Sequence, residues 1–172
     1  MFSKVLKRIG TQICFTFVLG VYLSSPEHVL AATIEGMVVR VSDGDTITLI
    51  DSNQRKYRVR FLGIDAPEKN QKYGQICGRS LKSKLEGNNV VVEYRNKDRY
   101  GRILGTVFFD GHNINLEQIS EGCAWFYRYY SGNVSWKWRD AYKDAENKAR
   151  SNRNGLWKDS HPTPPWDFRK GR

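Results

Sequence analysis

Three carboxylates in two short motifs are the residues of this chain best suited to chemistry. Asp45 lies in DGDT (residues 43–46), and Asp65 and Glu68 lie in DAPE (residues 65–68). Carboxylates that converge without a neighbouring His or Cys favour Ca²⁺ or Mg²⁺ over zinc or copper. Each motif alone is also an ordinary turn or strand exit, because Asp, Gly and Pro favour both. Only the pair of motifs predicts a hard-cation site.

Two arginines are spaced so that they could serve the same site. Arg60 begins RFLGIDAPE, which also contains Asp65, and Arg102 ends the basic turn KDRYGR. Guanidinium groups and a divalent cation around one phosphate would place positive charge where phosphodiester cleavage accumulates negative charge. We expect the apolar residues after Arg60 to hold it and Asp65 apart at a fixed distance. The three histidines are scattered along the chain, which argues against zinc chemistry and a His-based triad.

Five strands must position these residues. β-Branched runs flank DGDT and predict two strands of one hairpin. A third strand over residues 56–64 alternates apolar with cationic side chains and ends at Pro67, which has no N–H to donate. Two more strands are predicted at residues 88–96 and 103–109, and an Asp-Gly hairpin turn follows the second. Asp45 and Asp65 would then lie near the ends of neighbouring strands.

Three helices complete the prediction. They cover residues 73–87, Asn115–Glu121 and about Ser135 to Asn152. Four residues of the longest helix should face inward: Trp138, Ala141, Ala145 and Ala149. The order β-β-β-α-β-β-α-α is incompatible with alternating βαβ units. It favours an α+β fold in which helices pack against a small, mostly antiparallel barrel.

The first 31 residues have the layout of a secretory signal. A cationic start precedes an apolar run over residues 9–23, and small residues at Ala31 and Ala32 offer a cleavage site. We expect cleavage after Ala31 and export to the periplasm or the medium. The run is about 15 residues long, short of the roughly 20 that a membrane-spanning helix needs. An uncleaved membrane anchor is the alternative.

A strong positive charge accompanies this predicted export. The chain carries +10, from 28 Lys and Arg against 18 Asp and Glu. Removing residues 1–31, with three Lys or Arg and one Glu, leaves 25 against 17, or +8. Such a surplus favours an anionic partner, either nucleic acid or a membrane surface. We expect one domain over residues 32–172, with a Pro-rich basic tail from about residue 158 extended over its surface.

Two cysteines lie beyond the predicted signal, Cys77 and Cys123. Each shares a predicted helical face with apolar residues and should point inward. An even pair in an oxidising compartment favours one disulfide. Two buried free thiols are the alternative.

Six motifs together resemble one family. In order and separation, DGDT, RFLGIDAPE, YG, DRYGR, SEGCAWFYRYY and GLW closely resemble those of the staphylococcal nuclease (thermonuclease, micrococcal nuclease) family. The likeness covers essentially the whole chain after the signal. It implies a five-stranded OB-type β-barrel with three α-helices. It also implies a Ca²⁺-dependent endonuclease that hydrolyses DNA and RNA to products ending in 3′-phosphate. We expect a monomer without a stable protein partner.

The resemblance assigns roles by matching position. Three residues would bind calcium, the last through its backbone carbonyl: Asp45, Asp65 and Ala66. Ala66 stands where the best-known member has threonine, but a carbonyl ligand does not depend on the side chain. Arg60 and Arg102 would bind the scissile phosphate. Glu68 would take a proton from the attacking water or orient that water.

Four further residues would contact nucleic acid by resemblance: Arg99, Tyr100, Tyr127 and Tyr130. The alternative for the aromatic run Trp125–Tyr130 is ordinary core packing. An OB-type barrel can also bind nucleic acid without cutting it, although a mere binder has no need of carboxylates that repel phosphate. With an uncleaved signal, the protein would be a membrane-tethered accessory nuclease in DNA transfer.

Overall fold

A closed barrel forms from the segments rich in β-branched residues. The computed structural model describes residues 32–171, and the predicted signal peptide lies outside them. In this part of the chain the strands are β1 (Ala32–Asp43), β2 (Thr46–Ile50), β3 (Lys56–Phe61), β4 (Ile64–Asp65), β5 (Asn89–Lys97), β6 (Ile103–Phe109), β7 (His112–Asn113) and β8 (Trp125–Phe126). The order β3-β2-β1-β5-β6 closes where β3 pairs with β6 in parallel. The other barrel pairings are antiparallel, which confirms the predicted α+β fold with an OB-type barrel.

The three predicted helices are present, with ends that differ by one or two residues. They are α1 (Gly74–Leu85), α2 (Ile114–Ser120) and α3 (Trp136–Ser151). Shorter turns of helix follow: 3₁₀ segments at Arg128–Asn133 and Gly155–Lys158, and α4 (Pro165–Phe168). Within residues 32–171, no helix has the length and apolar character needed to cross a membrane.

Alternate residues of the strands fill the barrel, α1 and α2 pack against it, and α3 packs on α2. Examples of fully buried core side chains are Val38, Ile47, Leu49, Val59, Leu81, Val92, Val107 and Ile119. On α3, Ala145 and Ala149 are buried as predicted, whereas Trp138 and Ala141 are only partly buried. The inward positions belong to Tyr142 and Glu146 instead. Each makes a hydrogen bond with a buried polar group, and the periodicity of apolar residues does not predict such bonds.

The strand predicted over residues 56–64 is broken, which corrects that expectation. The backbone turns at Leu62 and Gly63, and Gly63 has φ of 77°. Glycine adopts this left-handed region without a steric penalty, and a Cβ here would also clash with Val134. After the turn, β4 leaves the barrel and pairs with β8 in a separate two-stranded sheet. Asp65 therefore does not end a barrel strand.

The C-terminal tail is also not simply extended. Pro165 is buried at the first position of α4, where its missing N–H costs nothing. The Trp166 ring packs edge-on against Trp125, with centroids 5.6 Å apart, and stacks on Tyr127 at 5.1 Å. Burial of these rings outweighs the extended preference of a proline-rich segment.

Candidate active site

Arg60 joins the two aspartates of the predicted site. Its Nη1 pairs with Asp45 Oδ1, and its Nη2 pairs with Asp65 Oδ1. Both aspartate side chains are buried. In an uninterrupted strand, residues five apart would lie roughly 16 Å from each other and point to opposite faces. The turn at Gly63 folds Asp65 back instead, so the expectation that the strand holds Arg60 and Asp65 apart is wrong.

Asp45 connects the turn between β1 and β2 to β3 and to the segment after β4 through hydrogen bonds. Its Oδ2 accepts the Ala66 N–H at 2.6 Å, and its Oδ1 accepts the Thr46 hydroxyl at 3.0 Å. Its carbonyl accepts the Phe61 N–H at 2.8 Å. These bonds explain how a charged residue is fully buried without loss of hydrogen bonding. At Ala66, the group that contacts Asp45 is the N–H.

The turn that carries Asp45 rests on a crowded layer. Gln118, which is fully buried, donates from Nε2 to the Gly44 carbonyl at 2.6 Å. A Cβ on Gly44 would lie 2.8 Å from the Ala66 Cβ and 3.5 Å from the Cys77 Cβ. Cys77 is joined to Cys123 by a disulfide, with Cα atoms 5.2 Å apart. The bridge therefore packs directly beneath the DGDT turn.

Glu68 lies on the loop between β4 and α1, and 37% of its side chain is exposed. Gln71 fixes the loop, because it donates its N–H to the Glu68 carbonyl at 2.8 Å and accepts the Glu68 N–H at 3.1 Å. The carboxylate itself is free of the barrel. Its Oε1 accepts a hydrogen bond from Arg169 Nη1 at 2.8 Å.

Arg169 was not among the predicted site residues, yet it contacts two of the carboxylates. Its Nη2 donates to Asp65 Oδ2 at 2.8 Å, and its Nη1 donates to Asp65 Oδ1 at 3.2 Å as well as to Glu68. The hydrogen bond with Asp65 is the main reason why the pKa of Arg169 is raised, and Glu68 contributes. The sequence feature that could have indicated Arg169 was a tail that combines Trp and Arg with proline.

Arg102 lies apart from this cluster. Its Nε donates to Asp98 Oδ2 at 2.7 Å, and Asp98 Oδ1 accepts the backbone N–H groups of Tyr100 and Arg102, each at 2.9 Å. Burial acts to raise the pKa of Asp98, but the bonds from Arg102 outweigh it and hold that pKa below its usual value. Arg102 directly precedes β6, where Leu104 pairs with Arg60. The two predicted phosphate-binding arginines thus lie close in the fold, Arg60 on β3 and Arg102 just before the neighbouring β6. Within residues 32–171, Arg102 makes no ion pair with the site carboxylates.

Tyr100 projects from the same turn, with 67% of the residue exposed. Arg99 donates from Nη2 to its hydroxyl at 2.7 Å and lies 4.8 Å from its ring centroid. The structure therefore presents Arg99 and Tyr100 together to solvent.

The aromatic run after α2 divides between core and surface. Trp125 and Phe126 are buried, whereas Tyr127 is partly exposed and Tyr130 is 49% exposed. Tyr127 and Tyr130 meet edge to face with centroids 5.3 Å apart. Burial raises the pKa of Tyr127, and the charge of nearby Asp65 adds to the effect.

A buried carboxylate that sequence reasoning missed holds this run in place. Glu146 of α3 accepts the Phe126 N–H at 3.0 Å and a hydrogen bond from Arg128 at 2.6 Å. Its sequence signal was weak, because a Glu on a basic helix normally faces solvent. Glu146 therefore fixes the position of the aromatic run through its contacts with Phe126 and Arg128.

An open cleft of about 550 Å³ is lined in part by Arg169, which contacts Asp65 and Glu68. Its walls combine aromatic with cationic side chains: Tyr127, Tyr129 and Trp166 with Arg128, Arg169 and Lys170. Such a surface suits a nucleotide, which presents a flat base and a charged phosphate.

The donor chemistry fits a hard cation. Asp45 and Asp65 both contact the guanidinium of Arg60, which balances their charge. Glu68 is separated from them by the guanidinium of Arg169. Accordingly, no group of three or more His, Cys, Asp or Glu side chains within residues 32–171 is gathered closely enough to hold a metal ion. The fit rests on the two buried aspartates.

The chain combines an OB-type barrel with a site of arginines and carboxylates, and it is similar in sequence to several known proteins. Residues 58–159 match the family described as "Staphylococcal nuclease homologue". The chain is 44% identical over 142 residues to an "Uncharacterized endonuclease" of Escherichia coli, covering 82% of this chain and 88% of the relative. It is 39% identical over 149 residues to the "Micrococcal nuclease" of Shigella flexneri, covering 81% and 82%. A "Probable staphylococcal-like nuclease CAN1" of Oryza sativa subsp. japonica is 36% identical over 119 residues, covering 69% and 34%.

This chain belongs to the staphylococcal nuclease homologue family, which confirms the resemblance read from its motifs. The matched residues include Arg60, Asp65, Glu68 and Arg102. Arg169 lies beyond them.

Proposed function

We propose that this protein is a Ca²⁺-dependent endonuclease that hydrolyses DNA and RNA and leaves products ending in 3′-phosphate. The observation that carries the proposal is the Arg60 guanidinium between two buried aspartates, next to the more exposed Glu68. Family membership and relatives named as nucleases support hydrolysis of nucleic acid. A protein that only binds nucleic acid would be destabilised by buried carboxylates without using them.

Asp45, Asp65 and the carbonyl of Ala66 would hold the cation. When bound, the cation would polarise a phosphate oxygen. Arg60 contributes a positive charge that can shift from the aspartates to the phosphate as the substrate enters. The backbone of Arg60 lies on a barrel strand, so the positive charge is already close to the phosphate before the reaction begins.

Glu68 takes a proton from the attacking water, or orients that water through a hydrogen bond. Its partial exposure gives it access to a water molecule, and Gln71 holds its loop. Arg102 stabilises the negative charge that develops on the phosphate oxygens. Asp98 fixes the Nε side of this guanidinium, which leaves its Nη atoms to face the substrate.

Exposed aromatic residues contact the substrate without reading its sequence. Tyr100 and Tyr130 present rings on which bases can stack, and Arg99 and Tyr127 adjoin them. The net charge of +8 on residues 32–172 attracts the polyanion, so cleavage should weaken with increasing salt.

The proposal is tested with purified protein and single-stranded DNA, duplex DNA and RNA, each in Ca²⁺ and in EGTA. We expect cleavage only with Ca²⁺. The products should carry a terminal phosphate that a phosphatase specific for 3′-phosphate removes. Cleavage in EGTA would overturn the cation dependence. Binding without cleavage would show a binding module instead.

We also propose that the protein is exported and works as a monomer. The signal grammar of residues 1–31 is the basis for export. N-terminal sequencing of the exported protein should begin at Ala32. A product that starts at Met1 and sediments with membranes would show a tethered nuclease, and a larger species in gel filtration would exclude the monomer.

A further inference from the structure

The C-terminal tail supplies a guanidinium that the predicted site lacks. Arg169 directly follows α4 and lies beyond residue 159, where the family match ends. We propose that Arg169 binds a phosphate of the nucleic acid next to the scissile phosphate, and that Trp166 positions it there. This inference rests on the function proposed above and adds a substrate-binding residue to the same site.

The first support is the location of the guanidinium. Arg169 contacts Asp65 and Glu68 together, at 2.8 Å for its closest bond to each. Even so, 42% of its side chain is exposed. A phosphate group that approaches Glu68 from solvent therefore comes within reach of Arg169. A planar guanidinium suits this task, because it can donate two hydrogen bonds to one phosphate.

The second support is the anchoring of the tail. Trp166 stacks on Tyr127 with an interplanar angle of 18° and meets Trp125 at 70°. The Arg169 N–H donates to the Pro165 carbonyl at 3.0 Å, so the arginine continues the turn that Trp166 fixes. Before the turn, Gln71 donates to the Thr163 carbonyl at 2.6 Å. The tail is thus packed on the domain, which keeps the Arg169 side chain beside the site when substrate enters.

The third support is the cleft that the tail forms. Tyr127 and Tyr129 give it aromatic surface, and Arg128 and Lys170 add positive charge to its walls. One nucleotide of a polynucleotide matches this chemistry, with its base on a ring and its phosphate on Arg169. Without the tail, Trp166 and Arg169 would be missing from the walls.

A different role for Arg169 would be to compete with the cation for Asp65 and Glu68. Two observations argue against it. The tail is packed in place by Trp166, whereas a competing segment must leave easily. Moreover, Arg169 and Lys170 are cations that attract nucleic acid, and the tail after Pro165 has a single acidic residue, Asp167.

The test compares Arg169→Gln with wild type in two assays. The first is fluorescence anisotropy of a labelled single-stranded oligonucleotide in EGTA, which does not depend on cleavage. We expect binding to weaken by about tenfold to a hundredfold, since a charge-assisted hydrogen bond is lost. The slope of log K against log salt should become shallower by about 0.7, the value for one phosphate contact on a single strand. Arg169→Lys should restore part of the affinity and most of the slope.

The second assay measures cleavage and cation affinity. For Arg169→Gln in Ca²⁺, we expect a higher KM with a smaller change in kcat. Lys158→Gln is the matched control, because it removes an exposed charge from the same region outside the site. It should change affinity by less than about twofold. Unchanged oligonucleotide affinity in Arg169→Gln would overturn the proposal, as would tighter Ca²⁺ binding with faster turnover.

Trp166 is tested as a positioning residue. Trp166→Ala should weaken oligonucleotide binding as much as Arg169→Gln, and the double variant should be no worse, because both changes remove one interaction. Trp166→Phe should restore binding, and it serves as the reference if Trp166→Ala does not fold. Additive losses would overturn the positioning role. If wild type neither binds nor cleaves nucleic acid, the proposed function itself fails. If wild type is active and Arg169→Gln binds and cleaves as well as wild type, only this inference is overturned.

Discussion

Glu68 differs from the other carboxylates of the site in its access to solvent. Its side chain is 37% exposed, whereas those of Asp45 and Asp65 are at most 1% exposed. Only an exposed carboxylate can meet the attacking water before substrate closes the site. This difference supports the proposal that Glu68 acts on the attacking water and that the aspartates bind the cation.

At the residue scale we predict that Glu68→Gln slows turnover by about 10²- to 10⁴-fold, since it removes the group that accepts the water proton. The free energy of unfolding should change by less than about 1 kcal/mol, because the side chain is partly exposed. Single-turnover cleavage and urea denaturation measure the two effects. Glu93→Gln, an exposed carboxylate on β5, is the control and should cleave normally. A near-normal rate in Glu68→Gln would contradict the role.

The sequence predicted Asp45, Asp65 and Glu68 because they lie in two motifs whose carboxylates could converge. Each motif alone also fits an ordinary turn, and Asp45 does hold its turn through hydrogen bonds. Arg169 could not be found in this way, because it lies 104 residues after its partner Asp65. Glu146 was hidden by its helix, since its hydrogen bond to a backbone N–H depends on how α3 docks.

At the element scale, the turn before β6 fixes Arg102 through Asp98. We predict that Asp98→Asn slows cleavage by roughly tenfold, because the misplaced guanidinium stabilises the transition state less well. It should also lower the free energy of unfolding by about 1 kcal/mol at pH 7. Kinetics and urea denaturation at pH 7 measure both effects.

The pH dependence of this turn has a definite sign. Because the pKa of Asp98 is lowered in the folded protein, its stabilisation is complete above the unfolded value of 3.8 and is lost as the pH falls through the folded value. The stability difference between wild type and Asp98→Asn should therefore shrink below pH 3.8. A difference that stays constant from pH 7 to pH 2.5 would contradict the ionic role of Asp98.

The break between β3 and β4 is the second element on which the site depends. We predict that Gly63→Ala lowers the free energy of unfolding by about 3 kcal/mol, from a left-handed backbone and a clash with Val134. Gly111→Ala is a matched control, since its φ is also 77° but a Cβ there meets no atom within 4 Å. It should cost about 1 kcal/mol. Equal losses in chemical denaturation would show that the Val134 contact is unimportant.

Sequence patterns predicted where the elements lie better than where they bend. The alternation of Tyr57, Val59 and Phe61 defined β3, but the apolar residues after it continued the strand pattern. Gly63 was the only warning, and glycine within a strand is too common to locate a turn. The helix ends were easier, because Gly87 and Gly122 both adopt positive φ, at 87° and 70°.

At the scale of the whole molecule, the disulfide connects α1 to the segment after α2. Cys77 and Cys123 are 46 residues apart, and a bridge over such a loop stabilises by about 4 kcal/mol at 25 °C in the chain-entropy account. We predict that the double variant Cys77→Ala, Cys123→Ala loses about 2–4 kcal/mol of unfolding free energy. Cleavage should also weaken, since the bridge packs beneath Gly44.

Differential alkylation and intact-mass analysis provide the direct check of the bridge. Unreduced protein should take up no label at Cys77 or Cys123, and reduced protein should take up two labels. Two labels without reduction would contradict the bridge. The stability loss is then measured against wild type under oxidising and reducing conditions, where the reduced wild type should resemble the double variant.

Local patterning predicted the strands and a small, mostly antiparallel barrel, and the resemblance implied its OB-type form; the pairings of β1 with β5 and of β3 with β6 join distant segments and were not predicted. The tail was not predicted either, because its conformation is decided by the Trp125 and Tyr127 rings on which Trp166 packs. Propensity made a proline-rich segment extended, and tertiary burial overrode it. The predicted site was therefore incomplete on the side that the tail covers.

The contacts of the site carboxylates differ widely in the length of chain that they close. Arg60 meets Asp65 over 5 residues, Ala66 meets Asp45 over 21, and Arg169 meets Asp65 over 104. The entropy of loop closure grows with chain length, so we expect these contacts to form in that order during folding. Asp65 is thus paired with Arg60 from an early stage, before the barrel encloses it. We therefore expect the tail arginine to join the site after the barrel that receives it has folded.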